Sequence, residues 1–249
     1  MTPHFQKPIT SILLDIEGTT TPIDFVYHTL FPYARSRIKD YLAAHQDSAE
    51  LRSDIALLIE ENAEDVRRGL DPPLLEGSVE RVTPGDVVSY IHWLMDRDRK
   101  STPLKSVQGK IWYEGYHRGD LRSQVFEDVP RAFGRWRNQQ KEIDIYSSGS
   151  VLAQKLLFSY TEAGDLAHLI GNYFDTNIGA KRDADSYRII ARNLNRMPAE
   201  IVFVSDIVAE LDAAVAAGFE AVLCVRQGND PQTASFSGTV ITSFDELFP

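Results

Sequence analysis

The stretch ILLDIEGTTTP, which runs from Ile12 to Pro22, decides how the rest of the chain is interpreted. Its apolar start is bounded by turn residues, a pattern typical of a strand buried on both faces of a parallel sheet. Asp15 then lies at the carboxyl end of that strand, where open α/β sheets bind ligands. Because side chains alternate along an extended chain, Asp15 and Glu17 are expected to point the same way. Two converging carboxylates are unfavourable unless a cation or a proton neutralises them, so the stretch indicates a functional site.

Composition limits the partners of this chain. Its 249 residues carry a formal net charge of −10 and a sequence pI of about 5.1, which argues against general binding to nucleic acids or to anionic membranes. An anionic small molecule would therefore need a locally positive pocket. The single cysteine, Cys224, excludes an internal disulfide. The N-terminal segment 1–7 has no apolar signal core and no apolar run approaches membrane-spanning length, so we expect a soluble cytoplasmic protein. Separately, we expect a monomer.

Hydrophobic patterning divides the chain into two parts. Strand and helix patterns alternate along residues 125–249, with strands expected at 142–146, 201–206, 221–225 and 240–241. Such alternation implies right-handed crossovers and a doubly wound parallel sheet, to which the first strand belongs. Residues 23–124 show helical spacing and no convincing strand. We therefore predict an α/β core formed by residues 1–22 and 125–249, with a helical cap, residues 23–124, inserted after the first strand.

Polar clusters follow three of the predicted strands. Besides Asp15 and Glu17, they comprise Ser147 with Ser148 and Gly149, and Ser205 with Asp206. Lys181 precedes a predicted helix between the last two. Carboxylates can act as nucleophiles or hold Mg²⁺, a turn at a helix N-terminus binds phosphate oxygens, and a lysine offsets phosphate charge. Because parallel strands place these groups at one edge of the sheet, the pattern predicts phosphoryl transfer.

Each element alone also has a structural explanation. The acid of an Asp-x-Glu-Gly-Thr turn can be a helix cap, the serines from Ser147 to Ser150 can cap the next helix, and Asp206 can do the same. Lys181 alone is typical of a solvated loop. Their joint occurrence in one order on one class of fold favours the functional interpretation.

These motifs resemble those of the haloacid-dehalogenase-like hydrolase superfamily. Asp15 to Thr19 corresponds to the first motif, D-x-D-x-T, except that Glu17 replaces the second aspartate; Ser147, Lys181 and Asp206 correspond to the other three. The segments DIEGTT, IYSSGS with QKLLF, GKIW and ITSF further resemble the enolase-phosphatase family of methionine salvage. The likeness spans nearly the whole chain and is weakest between Asp47 and Ser106.

The resemblance implies a substrate, a metal and a set of roles. The substrate would be 2,3-diketo-5-methylthiopentyl-1-phosphate, which is enolised and then dephosphorylated to the acireductone 1,2-dihydroxy-3-keto-5-methylthiopentene. Asp15 would be the nucleophile and Glu17 the general acid and base. Asp15, Glu17 and Asp206 would hold one Mg²⁺, with Glu17 contributing its backbone carbonyl as in the superfamily. The list of residues that would hold the phosphoryl group is Ser147, Ser148 and Lys181, with Glu210 as a candidate for orienting Lys181.

Three alternatives remain open. The chain could be another capped small-molecule phosphatase of the same superfamily. It could be a signalling protein phosphorylated on aspartate, like receiver domains, although a long cap and Glu17 argue against a long-lived phosphoryl group. It could also be a dehalogenase that uses Asp15 on carbon, but such an enzyme has no use for a metal carboxylate at Asp206.

Overall fold

The computed structural model describes residue 5, residues 7–229 and residues 236–249. Most of the N-terminal segment on which the signal-peptide argument rests lies outside these residues. The chain forms two compact units, one comprising Met1–Tyr27 with Leu121–Pro249 and the other His28–Asp120. The assignment of residues 23–124 as a cap and of 1–22 with 125–249 as a catalytic core stays a prediction.

The first unit is built on a parallel sheet. Within the described residues it has six strands in the spatial order β3-β2-β1-β4-β5-β6, and every neighbouring pair is parallel. The predicted doubly wound α/β fold is thereby confirmed. The strands are β1 (Ser11–Leu14), β2 (Glu142–Tyr146), β3 (Asn172–Phe174), β4 (Ile201–Ser205), β5 (Glu220–Cys224) and β6 (Thr239–Ile241).

Helices cover both faces of this sheet. On one face Ile12 and Leu14 pack in a cluster with Phe133 and Trp136, and on the other face Leu13 packs in a cluster with Tyr187. Alternate residues of β1 thus meet different helical layers, which is why Ile12, Leu13 and Leu14 are all apolar. The helices of this unit are α1 (Ile23–Phe25), α6 (Asp128–Asn138), α7 (Val151–Ser159), α8 (Ala184–Asn193) and α9 (Val208–Ala216).

Strand β3 is absent from the sequence prediction. It has three residues, of which Asn172 is exposed, Tyr173 half-buried and Phe174 buried. A strand this short and this polar gives no periodic signal. Contacts with β2 stabilise this strand. Asp144 lies opposite Asn172 in the register and accepts a hydrogen bond from the Asn172 side chain at 2.8 Å.

The second unit is helical. Its described residues, 28–120, form helices joined by turns and irregular loops, and they contain no strand. Ser48, Thr83 and Ser101 each accept a backbone N–H bond at the start of a helix, which is the expected role of these residues. No helix in the described part of the chain is both long and apolar enough to cross a bilayer. The helices are α2 (Phe31–Ala44), α3 (Ala49–Arg67), α4 (Pro84–Asp96) and α5 (Thr102–Arg118), and a π-helical turn covers Val26–Leu30.

Candidate active site

The turn after β1 presents the first acidic motif. Asp15 still pairs with the neighbouring strand, since its N–H donates to the carbonyl of Val204 at 3.0 Å. Gly18 then reverses the chain with a φ of 76° and donates to the carbonyl of Thr21 at 2.8 Å. The Thr20 hydroxyl lies 3.3 Å from the carbonyl of Asp15 and closes the turn on itself. The carboxylate of Asp15 is therefore held at the carboxyl end of β1 and is almost completely buried.

Gly18 is needed for a second reason besides its positive φ. A methyl group at this position would overlap Asp206 Oδ2 and would lie 2.9 Å from Asn229 Nδ2. The turn that carries Asp15 therefore packs closely against the residue that follows β4, Asp206. A larger residue than glycine would force the two loops apart.

Lys181 reaches the same place from the loop before α8. Asp183 caps that helix, and the Tyr187 hydroxyl donates to the Lys181 carbonyl at 2.7 Å. Fixed in this way, the Lys181 ammonium lies 2.5 Å from Asp15 Oδ1 and 2.7 Å from Glu210 Oε2. The lysine is nine-tenths buried, so it belongs to the site and not to a solvated loop.

Burial and like charge dominate the electrostatics of this cluster. Burial raises the pKa of Asp15 well above its usual value, and Glu210, Glu17 and Asp206 raise it further, against the opposing effect of Lys181. Burial likewise raises the pKa of Asp206 to about 6. Burial alone would lower the pKa of Lys181, but Asp15 and Glu210 hold it above its usual value. The lysine is therefore charged, and the acids together exceed the positive charge that it supplies.

Asp206 has one oxygen engaged and one free of partners. Its Oδ2 accepts a hydrogen bond from Asn229 Nδ2 at 3.0 Å. Among the described residues, its Oδ1 is buried and has no hydrogen-bond partner. Asp206 does not serve as the side-chain cap of α9, for which no such hydrogen bond is found. A buried carboxylate oxygen without a donor is unfavourable and is what a cation ligand looks like in the absence of its cation.

Comparison with known proteins identifies the family. A family model described as haloacid dehalogenase-like hydrolase matches residues 9–218. Enolase-phosphatase E1 of Synechococcus elongatus is 50% identical over 239 residues, which cover 96% of this chain and 98% of that protein. Enolase-phosphatase E1 of Drosophila willistoni is 43% identical over 89% of each chain. This chain belongs to the Enolase-phosphatase E1 family of haloacid dehalogenase-like hydrolases. The resemblance that the motifs indicated is thereby confirmed.

A solved structure of a related protein agrees with this assignment. The UTR4 protein of Saccharomyces cerevisiae is 31% identical, with a TM-score of 0.77, over 96% of this chain and 100% of that one. Membership of the Enolase-phosphatase E1 family makes the present protein a hydrolase. The predicted nucleophile Asp15 lies together with Lys181 and Asp206 at the carboxyl edge of the sheet.

The serines of the turn after β2 differ in their contacts. Ser150, and not Ser147, caps α7 by accepting the N–H of Ala153 at 3.3 Å. Ser147 is buried, accepts the N–H of Gly149 at 3.1 Å and lies 3.5 Å from Glu17 Oε2, which is longer than an ordinary O–H···O bond. Ser147 therefore faces the acidic motif without being required as a cap. Ser148 is half-buried beside it.

The three predicted metal residues do not form a closed cage of side chains. In the part of the chain that is described, no group of three Asp, Glu, His or Cys side chains is arranged to hold a metal ion alone. Lys181 lies against Asp15, and a superfamily-type ligand set takes only a carbonyl from Glu17. The roles of Asp15, Glu17, Ser147, Ser148, Lys181 and Asp206 as site residues stay predictions.

One functional candidate lies outside the sequence prediction. Asn229 contacts both Gly18 and Asp206. A single asparagine in a loop carries no motif that could have identified it. Ser205, which the sequence places in the same polar cluster as Asp206, donates from its hydroxyl to Glu210 Oε2 at 3.0 Å. Glu210, the candidate partner of Lys181, contacts that lysine directly.

Proposed function

We propose that the protein is a phosphatase that uses Asp15 as the nucleophile on a phosphate monoester. The observation that carries this proposal is the contact of buried Asp15 with Lys181 at the carboxyl end of β1, close to Asp206, whose Oδ1 has no hydrogen-bond partner in the described part of the chain. Asp15 attacks phosphorus in line, a bond forms between its oxygen and phosphorus, and the ester P–O bond breaks. The product of this half-reaction is an aspartyl-phosphate.

Glu17 moves the proton in both half-reactions. It donates a proton to the departing ester oxygen and later accepts one from the water that cleaves the aspartyl-phosphate. Glu17 suits this task because it lies two residues beyond the nucleophile, is half-buried and has its Oε2 at 3.5 Å from the Ser147 hydroxyl. Lys181, Ser147 and Ser148 hold the phosphoryl oxygens, and Glu210 keeps the Lys181 ammonium in position.

The residues of the site fit a Mg²⁺ ion. Asp206 Oδ1 is buried without a hydrogen-bond partner among the described residues, and Glu210, Glu17 and Asp206 all add negative charge around Asp15, so a cation would be stabilised here. Asp15, Asp206 and the backbone carbonyl of Glu17 would hold the ion, with water completing its shell, because Mg²⁺ usually keeps several waters. When bound, the ion offsets phosphate charge and allows the Asp15 carboxylate to approach the phosphorus.

The substrate in this proposal is 2,3-diketo-5-methylthiopentyl-1-phosphate. Relatives that are 40–50% identical over nearly the full chain carry the name Enolase-phosphatase E1, which supports an enolisation followed by dephosphorylation. The product is the acireductone 1,2-dihydroxy-3-keto-5-methylthiopentene together with inorganic phosphate, a step of methionine salvage. The acidic surface of the chain fits a small substrate whose phosphate is met locally by Lys181.

One incubation tests this proposal. Purified protein is mixed with the diketo phosphate and Mg²⁺, and enol absorbance and phosphate release are followed together. We expect the enol to rise before phosphate appears and a chelator to abolish phosphate release. Phosphate release from generic esters without enol formation would favour another capped phosphatase. Stable phosphorylation without turnover would favour a receiver-like protein, and full activity in excess chelator would overturn the metal assignment.

The proposal also covers the oligomeric state, the location and the partners of the protein. We expect a monomer acting in the cytoplasm on a small phosphorylated substrate, without nucleic-acid or membrane partners. The net charge of −10 supports the absence of polyanionic partners. Light scattering during size-exclusion chromatography checks the monomer against the chain mass of 28.0 kDa.

A further inference from the structure

The loop that follows β5 contacts the active site through the side chain of Asn229. Asn229 Nδ2 donates one hydrogen bond to the carbonyl of Gly18 at 2.8 Å and another to Asp206 Oδ2 at 3.0 Å. These two acceptors belong to the turn after β1 and to the end of β4. Asn229 therefore connects the two loops that carry the acids Asp15 and Asp206.

The chemistry of its partners requires an amide nitrogen at this point. A backbone carbonyl and an ionised carboxylate can only accept hydrogen bonds, so the side-chain oxygen of asparagine could satisfy neither. The amide NH₂ group has two hydrogens, and each finds one acceptor. An aspartate at position 229, nearly identical in shape, would present only acceptors to the same two oxygens.

We propose that Asn229 is a positioning residue for the metal carboxylate: it holds Asp206 Oδ2 so that Oδ1 faces the cation. This inference rests on the proposed function, because it presumes that Asp206 is a metal ligand. It explains why one oxygen of Asp206 is engaged and the other is buried without a partner among the described residues. Outer hydrogen bonds of this kind orient metal ligands and are needed for affinity.

A buried arginine holds the start of the loop that carries Asn229. Three residues earlier, Arg226 is buried and donates from Nε to the Thr19 carbonyl at 3.1 Å and from Nη1 to Asp128 Oδ2 at 2.7 Å. The loop is thus fastened to the same turn at two consecutive carbonyls, those of Gly18 and Thr19. Asn229 thus contacts Gly18 and Asp206 from a loop whose start is held to the same turn.

Metal binding without substrate tests the role directly. Mn²⁺ replaces Mg²⁺ as a paramagnetic probe, and electron paramagnetic resonance measures the free ion during titration of each variant. Asn229→Leu keeps a similar volume without donors, and Asn229→Ala removes the side chain. We expect Mn²⁺ affinity to fall about 10- to 100-fold in both, as is typical when a partner of a metal ligand is lost. Gln227→Leu is the matched control, since Gln227 is exposed in the same loop.

Kinetics separate positioning from a purely structural role. We expect Asn229→Leu to raise the Mg²⁺ concentration needed for half-maximal activity, by a factor similar to that for Mn²⁺, and kcat to recover towards the wild-type value at saturating Mg²⁺. A purely structural residue would lower the thermal midpoint and leave the metal affinity of the folded protein unchanged. Circular dichroism on the same samples establishes that each variant is folded at the assay temperature.

The outcomes distinguish this inference from the proposed function. If the wild type binds Mn²⁺ and turns over substrate while both folded Asn229 variants bind Mn²⁺ as tightly as Gln227→Leu, the positioning role is wrong and the phosphatase stands. If the wild type itself binds no Mn²⁺, the proposed metal site is wrong, and the role of Asn229 falls with it.

Discussion

Two buried aspartates of the sheet unit each contact a buried basic residue, but their pKa values are shifted in opposite directions. Asp128 Oδ2 receives hydrogen bonds from Arg226 Nη1, the Ser243 hydroxyl and the N–H of Phe244, at 2.5–2.9 Å. Burial would raise the pKa of Asp128, but these donors hold it below its usual value. Burial also raises the pKa of Asp15, and because several acidic neighbours oppose its single lysine, that pKa stays well above its usual value.

This difference separates a structural ion pair from a reactive one. Around Asp128 the single positive charge of Arg226 balances the single negative charge of the carboxylate, and three hydrogen bonds to Oδ2 stabilise the ionised form. Around Asp15 the negative charge is in excess, and the imbalance is stable only with a proton, a cation or a substrate that brings one. Strongly shifted pKa values caused by burial together with specific charges are typical of functional sites.

Replacing each aspartate by asparagine tests the contrast most strongly at Asp15. Asn is nearly isosteric but is a poor nucleophile, so Asp15→Asn should lower phosphate release by about 10⁴-fold or more. Folding should survive, because the change removes one of several crowded negative charges. The measurements are kcat and the urea midpoint. A folded variant that releases phosphate at close to the wild-type rate would show that Asp15 is not the nucleophile.

The next largest effect is expected at Glu17. Glu17→Gln keeps the length of the side chain but cannot transfer a proton, so turnover of an alkyl phosphate should fall ~10²–10⁴-fold. Glu17→Asp keeps the proton but withdraws the carboxyl group by one methylene, and a ~1 Å misplacement can lower the rate about a hundredfold. Aspartyl-phosphate formation is followed in single turnovers with an alkyl ester and with a nitrophenyl ester, whose leaving group needs no proton. Equal losses on both esters would remove Glu17 from the role of general acid.

Lys181 should show a smaller effect, on phosphate binding. Hydrogen bonds to charged groups contribute about 1.5–3 kcal/mol, so Lys181→Met should weaken inorganic phosphate binding about 10- to 150-fold. Calorimetric titration with phosphate in the presence of Mg²⁺ measures this. Lys155→Met serves as the control, since Lys155 is exposed on α7. Unchanged affinity in the Lys181 variant would return that lysine to a purely structural role.

At Asp128 the same aspartate-to-asparagine exchange should affect stability and leave the rate of the folded enzyme within about tenfold. Asp128→Asn leaves Arg226 buried without its counter-ion, which typically destabilises by about 3–5 kcal/mol. Because the pKa of Asp128 is lowered on folding, its contribution is complete above about pH 5 and is lost as the pH falls below about 4. Urea unfolding at several pH values should show the wild-type advantage shrinking in acid. A stability difference independent of pH would contradict this assignment.

Much of the sheet and of the site could be predicted from local pattern. β1, β4 and β5 contain apolar runs that end in polar turns, β2 alternates apolar residues with Glu142 and Asp144, and each strand is found within one residue of where its pattern predicts it. Such runs must be covered on both faces, so alternation with helices leaves few topologies open. The short β3 could not be predicted, because three residues with one exposed side chain have no period of their own.

The sequence by itself determined the fold class, the family and the residue types available for phosphoryl transfer, because hydrophobic period and motif order are properties of the chain. Only the tertiary structure decided that Ser150 caps α7 in place of Ser147 and that Lys181 is buried between Asp15 and Glu210. It also brought Asn229 to Gly18, 211 positions away along the chain. Contacts between residues this far apart depend on how strands and loops pack in space, and no local pattern along the chain encodes them.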